Sequence, residues 1–538
     1  MTSRFTRRSL LAAAGAASVG ASAVRLHGQG QAAAGPLFTN PLDVKLADPC
    51  MIRVGGTYYL YATASIPEDA DEGMPVWSSQ DLVRWQCHGW AFRKTPNGWG
   101  DHWFWGPDVH RFGDAYLMHY GAFRKVDGKA VGRICVARSA SPLGPFTDIK
   151  APMFEWTGRG DAIDAFVLEE AGGPAILYFT DAWNGRNTIW GARLTPDRLS
   201  LAEAPKLLLE PNQPWEVEPV NEGAHVWKHG STYCMMFSIN DFRNPAYAMG
   251  FATAPSPLGP WNKRTEGPVI RQAPGLPGPG CAGLIGSPDG KETWAYMHVH
   301  LHPDGNARQL ALSRARLTTA PGGTADLRIE PLTVAPQARP SGAPAPREPR
   351  SDAFGGDGLD RSLWTIVDER ADHWRKEPGK VVITALDGDM WKQRCDYRNL
   401  FLQGPDAGDF DIDVEVEAAL EGNYEQCFII AWQDAGNYVR LGMVHADGPR
   451  FSTAIELNGI YEELITPNGL GSKVGLRLVR RGDLWSFAVG AGGRWTPIGS
   501  SREARLALPR IGFGAVAPGT KRPYTATFRN FAVTRKGA

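Results

Sequence analysis

Five short stretches recur along the chain at nearly constant spacing, and each opens on a residue that would stand where a strand enters the centre of a ring. They read Asp48-Pro49-Cys50-Met51-Ile52, Asp108-Val109-His110, Asp164-Ala165-Phe166-Val167, Glu222-Gly223-Ala224-His225-Val226 and Cys281-Ala282-Gly283-Leu284, with steps of 60, 56, 58 and 59 residues. A turn and a second apolar run follow each one: Gly55-Gly56 before 58–62, Gly113-Asp114 before 116–120, Gly172-Gly173 before 175–179, 228–230 before 233–237, and Asp289-Gly290 before 293–297. One hairpin written five times, in a period longer than a solenoid unit and with room for about four strands, predicts a five-bladed β-propeller. Four of the five openings are carboxylates. Carboxylates gathered around one central channel are expensive to desolvate, so they point to function at the axis.

With 538 residues the chain can bury at least two cores. Lys+Arg and Asp+Glu balance at 57 each, which gives no reason to expect a nucleic acid partner or an anionic membrane surface. The N-terminus reads Thr6-Arg7-Arg8-Ser9-Leu10-Leu11 and then runs apolar and Ala/Gly-rich to about Val24. Paired arginines ahead of a short apolar region resemble a twin-arginine export signal, here 1–34, with Ala21-Ser22-Ala23 and Ala32-Ala33-Ala34 as cleavage sites. No other segment is long and apolar enough to span a membrane, so a periplasmic or secreted protein without membrane insertion is expected. Seven scattered cysteines, odd in number and without metal-type pairs, do not indicate a disulfide framework.

The repeats occupy 36–333. Ser141-Pro142-Leu143-Gly144-Pro145-Phe146 returns as Ser256-Pro257-Leu258-Gly259-Pro260-Trp261, close to two periods later, and is expected to mark the same turn on the outer side of two blades. Between 334 and 351 the chain is Pro-rich and reads as a semi-extended linker. From 352 to 538 the pattern changes: Phe410-Asp411-Ile412-Asp413-Val414-Glu415-Val416-Glu417 alternates strictly, the mark of a half-buried antiparallel strand, and further strand-like runs follow. Long amphipathic helices are absent, so the chain is all-β, with a concanavalin-like β-sandwich after the propeller.

Asp48, Asp164 and Glu222 fall on the first, third and fourth inner strands, from which they can face one another across the channel. Hydrolysis of a glycosidic bond uses two carboxyl groups on opposite sides of that bond, one protonated and one ionised. A third carboxylate nearby holds the acid's pKa up through like-charge repulsion.

Ala47-Asp48-Pro49, Trp105-Gly106-Pro107-Asp108, Ala162-Ile163-Asp164-Ala165 and Asn221-Glu222-Gly223, with Gly278-Pro279-Gly280 and Ser287-Pro288-Asp289-Gly290-Lys291, resemble glycoside hydrolase family 43, five-bladed inverting hydrolases. The resemblance covers about 40–320, with the motifs in the family's order. The C-terminal part, through Arg398-Asn399-Leu400, Gln433-Asp434 and Asn437-Tyr438-Val439, resembles the β-sandwich appended to many of these enzymes. It implies Asp48 as general base, Glu222 as general acid and Asp164 as the residue that orients and tunes the acid, while Asp108 takes a structural role. Arg308 resembles a family arginine that contacts the sugar. The activity implied is that of an exo-acting α-L-arabinofuranosidase or β-xylosidase on plant-type polysaccharide or oligosaccharide, with no cofactor required.

The chain departs from the family at Cys281, where a histidine usually fills the channel floor near a bound ion. A neutral thiol suits hard calcium poorly, which puts a structural calcium in doubt. His298, His300 and His302 alternate, so on a strand they share a face, but no fourth metal ligand accompanies them. No metal site is assigned, and His298 is expected to stand in for the missing imidazole at the sugar pocket. Trp103, Phe104 and Trp105 precede the second inner strand and are expected to wall that pocket.

A β-galactan-type specificity stays open. A fructan-type retaining hydrolase is disfavoured because Ala47-Asp48-Pro49-Cys50 lacks the Asn-Asp-Pro-Asn context of those enzymes. A non-catalytic glycan-binding propeller is disfavoured by the intact set of three carboxylates. The sequence does not fix the oligomeric state.

Overall fold

The computed structural model describes residues 36–535 apart from 65–70, 158, 171, 302–304, 306, 320–324, 393–395, 492 and 520–522. The expected export signal at 1–34, His302 and Cys395 lie outside the described residues. No helix among the described residues is long and apolar enough to cross a membrane.

Five four-stranded antiparallel sheets follow one another in chain order. Their inner strands are Ala47–Val54, His102–Phe112, Asp161–Leu168, Asn221–His229 and Gly280–Gly286, and each pairs with the strand that follows it in sequence. Each inner strand neighbours the next, and the fifth lies beside the first, so the sheets close a ring. One apolar cluster fills each gap between blades. Tyr61, Met74 and Val76 meet Met118 and Tyr120 between blades one and two, for example, and Leu60 and Met51 meet Trp294 and Leu312 between blades one and five. Burial of this kind is the main force that holds the ring together. The repeated Ser-Pro-Leu-Gly-Pro turns sit alike: Tyr61 and Tyr178 donate their hydroxyls to the carbonyls of Pro142 and Pro257 at 2.5 and 2.6 Å, each from the preceding blade.

Two further sheets, of seven and eight strands, build the C-terminal β-sandwich. Phe410–Ala418 alternates buried and half-buried residues as its sequence predicts, and Phe410, Ile412, Val414 and Val416 enter a core shared with Phe401, Phe513 and Trp485.

The segment expected to be a semi-extended linker is instead fastened to the propeller. Gln337–Ala338 pairs with Leu37–Phe38, buried Arg339 forms an ion pair with Asp81, and Ser341 bonds Asp289 and Glu292. The sandwich also grips the strand that leads into Asp48. Lys45 Nζ lies 3.3 Å from Asp368, Trp432 Nε1 donates to Asp43 at 2.9 Å, and Leu301 packs on the cluster around Trp432 and Tyr438.

Candidate functional site

Every inner strand slips register near its start, that of blade two twice, and a residue at the slip adopts a left-handed conformation. These residues are Asp48 (φ 48°), Gly106 (53°), Asp164 (54°), Gly223 (59°) and Cys281 (47°). Bulges of this kind re-aim a side chain at the expense of local strain, and they are common beside active sites. The bulges correct the register expected from the sequence. Gly106, and not Asp108, is the counterpart of Asp48, and Glu222 stands one residue ahead of its bulge, level with Trp105 in blade two.

In four of the five blades the second strand supplies the partner that fixes the next blade's bulge; in blade two the place is taken by Gly121. Gly106 N–H donates to Thr63 Oγ1 (2.9 Å), Gly223 N–H to Thr180 Oγ1 (3.3 Å), Cys281 N–H to Ser238 Oγ (3.0 Å) and, closing the ring, Asp48 N–H to His298 Nδ1 (3.1 Å). Thr63 and Thr180 also donate to Asp48 Oδ2 and Asp164 Oδ2, at 2.9 and 3.0 Å.

A second ring of clasps lies two residues further along. Cys50 Sγ accepts from Val109 N–H (3.3 Å), Asp108 Oδ2 from Val167 N–H (3.0 Å) and His225 Nε2 from Leu284 N–H (3.3 Å). In blade five this place is Gly283, where a Cβ would come within 2.2 Å of the Tyr296 hydroxyl; that hydroxyl accepts Met51 N–H at 3.3 Å instead. Asp108 is thus a blade-to-blade clasp, which gives its buried carboxylate a structural reason. The two rings line a central channel with a cavity volume of about 210 Å³.

Around the mouth the three carboxylates differ in surroundings. Asp48 pairs with Arg308, Oδ1 to Nη1 at 3.0 Å, and the guanidinium lies over the Phe242 ring. Glu222 is buried; its Oε1 accepts from the Tyr247 hydroxyl and its Oε2 from Asn187 Nδ2, both at 2.7 Å. Burial pushes Glu222 up to about 7 and the charge on Asp48 adds to this, while its two hydrogen bonds and Arg308 pull the other way. Asp164 is held well above the usual carboxylate range, first by desolvation and then by the charges of Glu222 and Asp48. One carboxylate stands in an ion pair, and a second is pushed up to about 7 and so keeps its proton below neutral pH. That pairing is what acid–base cleavage of a glycosidic bond uses.

Two expected contacts are corrected. His298 is fully buried, and its Nδ1 accepts the Asp48 backbone N–H, so it stands behind Asp48 and not against a sugar. Burial and the nearby charge of Arg308 hold its pKa well down, which leaves a neutral imidazole with its proton on Nε2. Phe104 points into the blade core, 5.4 Å from Phe92 and 1% exposed, because alternation along the strand turns it away from its neighbours. Trp103 and Trp105 lie outside that core, stacked on each other at 5.4 Å.

The sequence reading missed Tyr247, Asn187, Thr63, Thr180 and Trp183. A signal existed for the threonines: each second apolar run is followed at once by the clasp position, which reads Thr63, Gly121, Thr180, Ser238 and His298 through the five blades. Tyr247 needs Gly280 beneath it, where a Cβ would fall 1.8 Å from its ring. Among the described residues, Asp48, Cys281 and His298 bring possible metal-ligand atoms within 4.8 Å of one another. Desolvation and the surrounding carboxylates push the Cys281 thiol well up, so it stays neutral, and His298 Nδ1 is already occupied by the Asp48 N–H.

Residues 38–319 match the family described as "Glycosyl hydrolases family 43". The β-D-galactofuranosidase xynD of Aspergillus niger is 26% identical over 262 residues, 47% of this chain and 73% of that protein. The extracellular exo-α-(1→5)-L-arabinofuranosidase ArbA of Cellvibrio japonicus is 26% identical over 165 residues, 27% of this chain and 42% of that protein. The crystal structure of a thermostable family-43 glycoside hydrolase superposes with a TM-score of 0.51 at 35% identity, covering 56% of this chain and 99% of that one. The family-43 protein BlXynB of Bacillus licheniformis shares the fold over 93% of this chain and all of its own, with a TM-score of 0.58 at 19% identity. With a family match across nearly all of the propeller and three carboxylates at its axis, the chain belongs to glycosyl hydrolases family 43 and is an enzyme that hydrolyses glycosidic bonds.

Proposed function

We propose that the protein is an exported, exo-acting, inverting α-L-arabinofuranosidase. Asp48 serves as general base, Glu222 as general acid and Asp164 as the residue that orients and tunes the acid. The observation that carries this reading is the contrast between Asp48, ion-paired with Arg308, and Glu222, buried and pushed up to about 7. A water held by Asp48 attacks the anomeric carbon while Asp48 takes its proton. Glu222 gives its proton to the departing oxygen as the bond breaks. Burial and the negative charges of ionised Glu222 and Asp48 raise Asp164, so Asp164 and Glu222 do not readily ionise together. Arg308 pairs with the Asp48 carboxylate, and His298 and Thr63 fix its direction. The chemistry calls on no metal, and the neutral Cys281 thiol is a poor ligand for calcium.

Both curated relatives above are named for furanosides, which favours an arabinofuranoside over a xyloside. ArbA is described as extracellular, in keeping with export of this chain through the signal at 1–34. A panel of aryl α-L-arabinofuranosides, β-D-xylosides and β-D-galactofuranosides, followed by proton NMR of the first-formed sugar, tests the reading. Cleavage of the arabinofuranoside with inversion is expected. Preference for another glycoside overturns the sugar assignment, and a retained anomer overturns the single-displacement mechanism.

A further inference from the structure

A buried ion pair stands behind the strand that carries Glu222. Lys263 lies on the outermost strand of blade four, Asn262–Lys263, and Glu216 on the segment that leads into the inner strand. Lys263 Nζ and Glu216 Oε1 are 2.5 Å apart, and the two side chains are 2% and 0% exposed. Taking two charges out of water is costly, and a buried ion pair stabilises a fold little better than apolar side chains of the same volume. Burial accordingly lowers the Lys263 pKa, although Glu216 pulls it back. Stability alone does not account for the pair.

What the pair holds is Asn221. The three donors of the ammonium go to Glu216 Oε1, to the Glu210 carbonyl at 2.7 Å and to Asn221 Oδ1 at 2.6 Å. Glu216 accepts Asn221 Nδ2 at 2.8 Å on Oε1, and the N–H groups of Asn212 and Gln213 at 2.6 and 2.7 Å on Oε2. A lysine only donates and a carboxylate only accepts, so together they dictate which way round the Asn221 amide sits. Asn221 is fully buried and immediately precedes Glu222.

The other blades do without this arrangement. Two places ahead of the bulge they carry Leu46, Phe104, Ala162 and Pro279, all buried and apolar. Blade four has an amide there, and blade four is also the one with a carboxyl group one place ahead of its bulge. The bulge residue beside that carboxyl is Gly223 at φ 59°, a permissive joint next to a side chain that must be aimed. Asn187 completes the grip. Its carbonyl accepts the Asn221 N–H at 3.0 Å and its own N–H donates to the Pro219 carbonyl at 2.9 Å. Its side-chain amide accepts the Trp183 N–H at 3.1 Å and donates to Glu222 Oε2 at 2.7 Å.

We infer that Lys263 and Glu216 are positioning residues for the acid: acting through Asn221, they hold the backbone at Glu222 so that its carboxyl meets the departing oxygen. Neither touches the substrate. Proton delivery demands hydrogen-bond reach, and an error of about an ångström in such a group costs on the order of 100-fold. The inference rests on Glu222 as the acid of a glycosidase.

The test compares an oligosaccharide of the sugar selected by the aryl-glycoside panel with its 2,4-dinitrophenyl glycoside, whose leaving group needs little protonation. For Lys263→Met, kcat on the oligosaccharide is expected to fall roughly 10- to 100-fold with KM little changed. On the dinitrophenyl glycoside the fall is expected to stay within about threefold. The double variant Lys263→Met/Glu216→Gln leaves no unpaired charge behind, and it is expected to melt close to the parent and to show the same dependence on leaving group. Equal losses on the two substrates, no loss on either, or loss of the fold in both variants would make the pair a support of the blade alone and overturn the inference. Failure of the underlying reading looks different: a parent active on neither substrate overturns the glycosidase, and a Glu222→Gln variant that loses equally on both overturns the acid.

Discussion

The Tyr247 hydroxyl donates to Glu222 Oε1 at 2.7 Å and lies 3.7 Å from Cys281 Sγ. It can therefore serve both forms of the carboxyl, giving a proton to the ionised form and accepting one from the protonated form while it turns toward the thiol. Its bond favours ionised Glu222, so its loss should raise a pKa already near 7. In Tyr247→Phe the alkaline limb of the kcat/KM profile is expected to move up by about one pH unit, with the optimum rate about tenfold lower. A limb that stays in place or moves down would show that Glu222 is not the group titrating there.

Asp48→Asn and Glu222→Gln are expected to lower turnover by roughly 100- to 10,000-fold while leaving the fold intact. Asn tolerates the left-handed backbone at position 48, which a longer or β-branched residue would strain. A substrate with an acidic phenol leaving group needs little protonation, so Glu222→Gln should lose far less on it than on an oligosaccharide. Near-parental rates for either variant on a good oligosaccharide would remove its catalytic role.

Stability should carry the same signature with a defined sign. Glu222 binds its proton more tightly in the folded chain than at its ordinary value of 4.5, so folding takes up a proton between there and about 7. Stability therefore falls as pH rises through that window, and the full penalty is present above it. Glu222→Gln cannot ionise and should be more stable than the parent at pH 8 by on the order of 3 kcal/mol, with little difference near pH 4. Denaturant melts at the two pH values measure this; a variant less stable at pH 8 would contradict it.

Treatment with a chelator is expected to leave activity unchanged. The channel floor offers a neutral thiol and an imidazole nitrogen that already accepts the Asp48 N–H. Activity lost to a chelator and restored by calcium would reverse this assignment. Cys281→His should fold, since Cys281 lines the central channel, whose cavity volume is about 210 Å³.

Much of this architecture could be read in the residues, and the errors share a cause. The five hairpins, the change of pattern near 352 and the three carboxylates all follow from spacing and alternation. The register did not. Comparing carboxylates aligned Asp48 with Asp108 and Glu222, whereas the bulges align Asp48 with Gly106 and Gly223. A left-handed bulge residue is met as readily by glycine as by aspartate, so the backbone requirement was hidden behind the chemistry. Phe104 followed strand alternation, which a neighbouring bulge made hard to phase. Tyr247, Asn187 and Trp183 reach the site from turns after the second strands of blades three and four, and turn geometry is set by tertiary contacts that spacing does not encode.

The clasps also decide when the enzyme becomes an enzyme. Asp48 belongs to the first blade, but its backbone is held by His298 and its carboxylate by Arg308, both from the last. A chain with four blades folded has the proposed acid, Glu222, and the two residues that hold it, yet the proposed base, Asp48, is not positioned. Catalytic competence therefore arrives with the final docking event, and partly assembled molecules are silent by construction.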